Sequence, residues 1–290
     1  MAPPSSQQPD PHVQGTLNTL IQLQDLVLAR DERKAAGPGK RLTELNRSIE
    51  SMLGELAADR RTHIQQLLRR SPLAVVPIHN RTCTGCGMAL PVSLVNNVHA
   101  AREIYRCPSC TRILYYRESE IKRRPERRRR RTNDRKGLER FSCESLMIPR
   151  LEGGTPEEVL GQMCRCMEEQ GFIENSDALL DQAMQREAIS TTAMEHGIAF
   201  PHVRGVEGGG LTLAAGVHRK GIHFDPDSRR LSRIFLFMAI PTAASAFYLR
   251  LVSGLSESLS RKEVREEVLG AETAQELWKR LQKATRKTVR

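Results

Sequence analysis

Two Cys-x-x-Cys pairs, Cys83-Thr84-Gly85-Cys86 and Cys107-Pro108-Ser109-Cys110, constrain this chain more than any other feature of its sequence. Two such pairs about twenty residues apart have the spacing of a tetrahedral four-thiolate zinc site. Each pair predicts a tight knuckle, which Gly85, Gly87 and Pro108 help the backbone to turn so that both sulfurs reach one ion. Four protein ligands fill the coordination shell, so the zinc expected on Cys83, Cys86, Cys107 and Cys110 is structural and supplies no Lewis-acid chemistry. A redox dithiol is the competing use of Cys-x-x-Cys, and a second pair at this separation weighs against it. Seven cysteines, an odd number, fit metal binding in a reducing compartment better than a disulfide framework. Cys143, Cys164 and Cys166 have no partner pattern and read as ordinary small apolar residues.

Different material flanks the cysteines on each side. Between Val13 and Ala29, Val13, Leu17, Leu20, Ile21, Leu23, Val27 and Leu28 recur at helical spacing. Gly37-Pro38-Gly39 then forces a turn. Leu42, Leu45, Ile49, Met52 and Leu56 step by three and four, and this second helix is expected to run on through Ile64 and Leu68. An antiparallel helical hairpin is the simplest assembly. Residues 74–116 switch to short apolar runs, with strand-like stretches at Glu103–Arg106 and Ile113–Tyr116, and read as a small β module. From about residue 139, amphipathic helices (157–170, 176–187, 244–260, 273–285) alternate with strand-type runs at Gly197–Phe200, Leu211–Val217 and Arg233–Ala239. That alternation predicts an α/β domain, and 290 residues suffice for about two domains.

The net charge of +11 looks like a nucleic-acid signature, but it is concentrated. Lys122–Lys136 holds ten Lys and Arg against Glu126 and Asp134, and no apolar residue worth burying, so it reads as a linker between domains. Its seven arginines between Arg123 and Arg131 would suit an RNA or DNA tether. Against that, no aromatic is interleaved for base stacking, and charge runs commonly serve as solvated spacers. The longest apolar run, Ile234–Ile240, is only of strand length, and Met1–Gln14 has no apolar core of the kind a secretory signal needs. The expectation is a protein of the cytoplasm with a disordered lead-in.

The second chemically informative stretch contains Arg186-Glu187, Ser190-Thr191 and then Gly197-Ile198-Ala199-Phe200-Pro201-His202-Val203-Arg204. Pro201 fixes its own φ and biases Phe200 to extended backbone, so His202 is presented rigidly at a strand end. A neutral imidazole is a competent nucleophile toward phosphorus, and a phosphohistidine needs cations or backbone N–H groups beside it. Arg186 and Arg204 are candidates. Taken alone, Pro-His is more often structural. His218 and His223 read as surface loop residues, and His196 as a turn residue that could approach the site.

Both halves of the chain resemble known families. The hairpin followed by Cys83-Thr-Gly-Cys-Gly-Met-Ala-Leu-Pro91 and Arg106-Cys-Pro-Ser-Cys-Thr-Arg-Ile-Leu-Tyr115 resembles bacterial coiled-coil plus C4-type zinc-ribbon proteins over about residues 13–118. Members of that family look like adaptors or chaperones, some acting around secretion or flagellar assembly and some touching RNA. The His202 stretch, with Ala214-Ala215-Gly216-Val217-His218-Arg219 and Ala239-Ile240-Pro241, resembles the fructose/mannitol and nitrogen-regulatory type enzyme IIA domains of the phosphoenolpyruvate-dependent phosphotransferase system. That resemblance covers about residues 144–288. It implies an α/β fold with a mixed sheet flanked by helices. It also implies phosphorylation of His202 by the histidine-containing phosphocarrier protein, Arg186 as the stabilising arginine, and transfer to an enzyme IIB domain or retention as a regulatory mark. The chain departs from the pattern where the family has a second histidine before a leucine: Tyr248 precedes Leu249. A tyrosine can donate a hydrogen bond to a phosphoryl oxygen but cannot become cationic.

The expected organisation is therefore a lead-in (1–12), helical hairpin (13–72), C4 zinc ribbon (73–118), Arg-rich linker (119–138) and enzyme IIA-like domain (139–290). The expected function is a phosphocarrier acting through His202. The alternative is an adaptor with a degenerate IIA domain that binds protein or nucleic acid through the ribbon and linker.

Overall fold

The computed structural model describes residues 10–36, 41–116, 136–206, 210–241 and 245–289. Arg123–Arg131, most of the expected linker and most of the lead-in lie outside the described residues. The chain divides into two compact units near residue 118. Among the described residues no helix is long and apolar enough to cross a membrane.

In the first unit, α1 (Pro11–Ala36) begins two residues inside the stretch read as a lead-in. The second arm is not one helix. It breaks into α2 (Arg41–Glu55) and α3 (Ala58–Arg70). Gly54 lowers helical preference there, Ala57 takes an extended ψ of 145°, and the Arg61 guanidinium accommodates the carbonyls of Gly54 and Leu56 at 2.7 and 3.0 Å. The apolar stripe survives the break, because Leu17, Leu20, Leu23 and Val27 share a core with Ile49, Leu56, Ile64 and Leu67. The ribbon sheet has the order β2-β1-β4-β3, from β1 (Val75–His79), β2 (Thr82–Cys83), β3 (Tyr105–Arg106) and β4 (Ile113–Tyr115). Gln24 of α1 fastens hairpin to ribbon, its side-chain oxygen accepting from the N–H groups of Ala74 and Val75 at 2.7 Å each. Between the cysteine pairs the all-β reading missed α4 (Val92–Ala100). Its Val and Asn residues disfavour helix intrinsically, and packing of Leu94, Val95 and Val98 against the ribbon core overrides that.

The second unit opens with a 3₁₀ turn, Gly137–Arg140, whose Leu138 is already buried in the core. Its sheet has the order β5-β8-β9-β6, with β7 also on β9: β5 (Met147–Ile148), β6 (Ile198–Ala199), β7 (His202–Arg204), β8 (Thr212–Ile222) and β9 (Ser232–Ile240). β8 and β9 are antiparallel and the other pairings parallel, which is a mixed sheet. Helices α5 (Pro156–Glu169), α6 (Ser176–Ile189), α7 (Ser245–Leu259), α8 (Lys262–Leu269) and α9 (Ala274–Thr285) accompany it. The helix starts are chemically specified: Thr155 and Glu158 form a capping box with Pro156 at the first helical position, and Asn175 and Thr273 cap α6 and α9. The eight-residue α8 escaped the sequence reading.

Residues 198–204 position the candidate site. Ile198 and Ala199 pair with Ile234 and Phe235, and His202 and Val203 pair with Met238 and Ala239, so β6 and β7 keep one register along β9. Pro201 interrupts them because it has no N–H to give, while its carbonyl still accepts from Met238 at 2.9 Å.

Candidate functional site

His202 opens β7 and is 1% exposed. Its two nitrogens face different chemistry. Nδ1 lies 3.1 Å from the Phe200 carbonyl oxygen, which can only accept. Arg186 Nε donates to Nε2 at 3.1 Å, and a guanidinium can only donate. A neutral His202 ring therefore carries its proton on Nδ1 and its lone pair on Nε2. Arg186 is held in turn, since its Nη1 donates to the Ser190 carbonyl at 2.8 Å where α6 ends. Arg186 thus stands where sequence reasoning expected a cation.

Tyr248, 1% exposed on α7, places its hydroxyl 3.0 Å from Nδ1, with the two rings 5.0 Å apart. The hydroxyl meets the ring edge opposite Arg186, away from the nitrogen that carries the lone pair. Arg204, the other candidate cation, sits with its guanidinium carbon 4.9 Å from the centre of the Tyr248 ring.

Glu187 had no role in the sequence reading beyond its place in the motif. Its carboxylate accepts from the Thr192 N–H at 2.5 Å and the Thr192 hydroxyl at 2.7 Å, tying the end of α6 to the segment that leads into β6. Among the remaining histidines, His218 is buried within β8 rather than on a surface loop. Gly221 N–H donates to its Nδ1 at 2.8 Å and its Nε2 lies 2.9 Å from the Gly153 carbonyl, so the ring fastens the β-bulge between Val217 and Ile222. His223 is exposed, and His196 is an exposed turn residue with φ 67°.

The first unit holds the second site. The Sγ atoms of Cys83, Cys86, Cys107 and Cys110 all lie within 4.8 Å of one another, with Cys83 to Cys110 at 3.8 Å and Cys86 to Cys107 at 3.7 Å. A tetrahedron with Zn–S bonds of about 2.3 Å has edges of roughly 3.8 Å, so this donor set fits zinc. The knuckles are built as expected: Gly87 at φ 77° donates to the Cys83 carbonyl at 2.8 Å, and Thr111 to the Cys107 carbonyl at 2.9 Å.

Comparison with known proteins finds a match for each of the two parts of the chain. Residues 141–284 match the family described as phosphoenolpyruvate-dependent sugar phosphotransferase system, EIIA 2, and residues 82–114 match the C4-type zinc ribbon domain. The chain is 32% identical over 105 residues to the PTS system fructose-specific EIIA component of Haloferax volcanii, covering 36% of this chain and 68% of that protein. The chain belongs to the phosphotransferase-system EIIA type 2 family. It is also 25% identical to the nitrogen regulatory protein of Pseudomonas aeruginosa, over 49% of this chain and 92% of that protein. A further relative, the fructose-specific EIIABC component of Bacillus subtilis, is 25% identical over 42% of this chain, which spans only 19% of that longer protein. The EIIA domain is thus joined in one chain to a four-cysteine ribbon that holds structural zinc.

Proposed function

We propose that the EIIA domain accepts a phosphoryl group on His202 Nε2 from the histidine-containing phosphocarrier protein of the cytoplasm. It then relays the group to an enzyme IIB domain or holds it as a regulatory mark. The observation that carries this reading is the pair of contacts on the His202 ring: the Phe200 carbonyl at Nδ1 and Arg186 at Nε2 favour the tautomer whose nucleophilic lone pair is on the nitrogen beside the cation. In the transfer, the Nε2 lone pair attacks phosphorus. The donor's P–N bond breaks, its electron pair returns to the donor nitrogen, and the proton stays on Nδ1. Arg186 gives up Nε2 as the new bond forms and turns its N–H groups onto the phosphoryl oxygens. The regulatory use is supported by the likeness to a nitrogen regulatory protein, and by a ribbon and basic segment that sugar uptake does not require.

A second reading, the adaptor with a degenerate IIA domain, is favoured by one observation: His202 is buried and its lone pair is occupied by Arg186. One experiment separates the two. The purified protein is incubated with phosphoenolpyruvate, enzyme I and the phosphocarrier protein, then weighed intact at mildly alkaline pH. A gain of one phosphoryl group, absent in His202→Ala, is expected. No gain with competent donors supports the adaptor and makes the ribbon and arginine segment the place to look for partners.

A further inference from the structure

We propose that Tyr248 is a positioning residue that makes the phosphorylated His202 long-lived, by offering Nδ1 a partner whether or not that nitrogen carries a proton. The inference rests on His202 being the phosphoryl acceptor. It is carried by the two groups that meet Nδ1: the Phe200 carbonyl at 3.1 Å and the Tyr248 hydroxyl at 3.0 Å, in a pocket where His202 and Tyr248 are each 1% exposed.

The two partners differ in one respect that decides the chemistry. A carbonyl oxygen only accepts, whereas a hydroxyl accepts through its lone pairs or donates its hydrogen by rotating about the C–O bond. Once Nε2 carries the phosphoryl group, the ring exists in two forms. With a proton on Nδ1 the ring is cationic and both oxygens accept from it. When that proton leaves to solvent, Nδ1 presents a lone pair, which the Phe200 carbonyl repels and which, of these two partners, the Tyr248 O–H can satisfy.

Only the protonated form loses its phosphoryl group readily. Water attacks phosphorus, the P–Nε2 bond breaks, and its electron pair returns to Nε2. The leaving group is then a neutral imidazole still protonated on Nδ1. From the unprotonated form the same step would expel an imidazolate. A donor at Nδ1 therefore stabilises the form that keeps the phosphoryl group. The charged groups facing the ring from the packed elements are Arg186 of α6 at Nε2 and Arg204 of β7 over the Tyr248 ring, while Glu187 of α6 is turned to Thr192. On β9 the residue paired with His202 is the apolar Met238. Among these groups Tyr248 alone can donate to Nδ1.

The test uses the full-length protein, phosphorylated by phosphoenolpyruvate, enzyme I and the phosphocarrier protein, then freed of donors. Loss of the phosphoryl group is followed by intact mass from pH 5 to 9 for the wild type and for Tyr248→Phe, which keeps the ring but not the hydroxyl. The variant is expected to need a pH about one unit higher for its phosphoryl group to become stable, and to lose it about tenfold faster on the alkaline side, as one net hydrogen bond warrants. Superimposable decay profiles overturn the proposal. A wild type that gains no phosphoryl group sinks instead the reading beneath it. If Tyr248→Phe does not fold, ¹⁵N spectra of labelled wild-type phosphoprotein decide: a hydrogen-bonded, unprotonated Nδ1 at pH 8 is expected, and an Nδ1 still protonated there refutes the role.

Discussion

Glu187 follows the arginine that holds His202, and its environment sets two effects against each other. Burial is the largest and raises its carboxyl, while hydrogen bonds from Thr192 and Thr191 and the charge of Arg186 lower it. Burial wins, so the folded protein holds this proton more tightly than the unfolded chain does. The sign of the linkage follows. The stabilisation is complete below the ordinary carboxyl value near 4.5 and is lost as pH rises through the higher folded value. Glu187→Gln removes the titration but leaves an oxygen to accept from Thr192. Thermal unfolding of the two proteins between pH 4 and 8 should therefore give a difference, variant minus wild type, that grows with pH. Parallel curves would show that Glu187 does not titrate in that window.

At the scale of elements, the delivery of His202 depends on how the chain enters β6. His196 and Gly197 are both left-handed, at φ 67° and 73°, and a Cβ on Gly197 would lie 2.8 Å from the Leu231 carbonyl oxygen. Gly197→Ala meets both obstacles. The left-handed backbone alone costs about 1–2 kcal/mol, and the clash adds to it, so a fall in Tm of about 5 °C or more is expected by circular dichroism. Gly197→Asn is the informative companion. Asparagine tolerates the left-handed region yet still carries a Cβ, so it should recover little if the Leu231 contact dominates. This turn also marks the limit of what was legible in the sequence. The Gly-Ile-Ala-x-Pro-His order identifies a rigid presentation of His202 because proline and glycine fix backbone locally. Long helices with chemical caps, such as α5 and α9, and the unbroken apolar run of β9 were legible for the same reason. Features that depend on distant partners were not. α4 and the break after Glu55 follow from packing and from Arg61, and the burial of His218 follows from a bulge whose hydrogen bonds reach Gly153. Which ring nitrogen of His202 meets the Tyr248 hydroxyl likewise depends on a partner 46 residues away along the chain.

At the scale of the whole molecule, the apolar cores follow the division into two units. Residues 138–289 supply one core, and two smaller clusters draw on the hairpin and ribbon alone. The ribbon cluster is small, with Val76, Ile78, Leu90, Val98 and Leu114 packed around two of the metal ligands, Cys83 at 0% and Cys107 at 1% exposed. A core of that size contributes too little by itself to order its short strands, so zinc binding must supply much of the folding free energy there. Cys83→Ser removes a buried ligand and leaves three thiolates, which should release the metal and unfold the ribbon. Among the described residues the core cluster of the EIIA domain includes none of those sulfurs. Two measurements on the same sample check this, bound zinc by atomic absorption and unfolding by calorimetry. The variant should carry no zinc and lose one thermal transition, while the transition of the EIIA domain and the extent of phosphorylation at His202 stay as in the wild type. A variant that loses both transitions together would show that the ribbon and the EIIA domain fold as one cooperative body, against the separation of their cores.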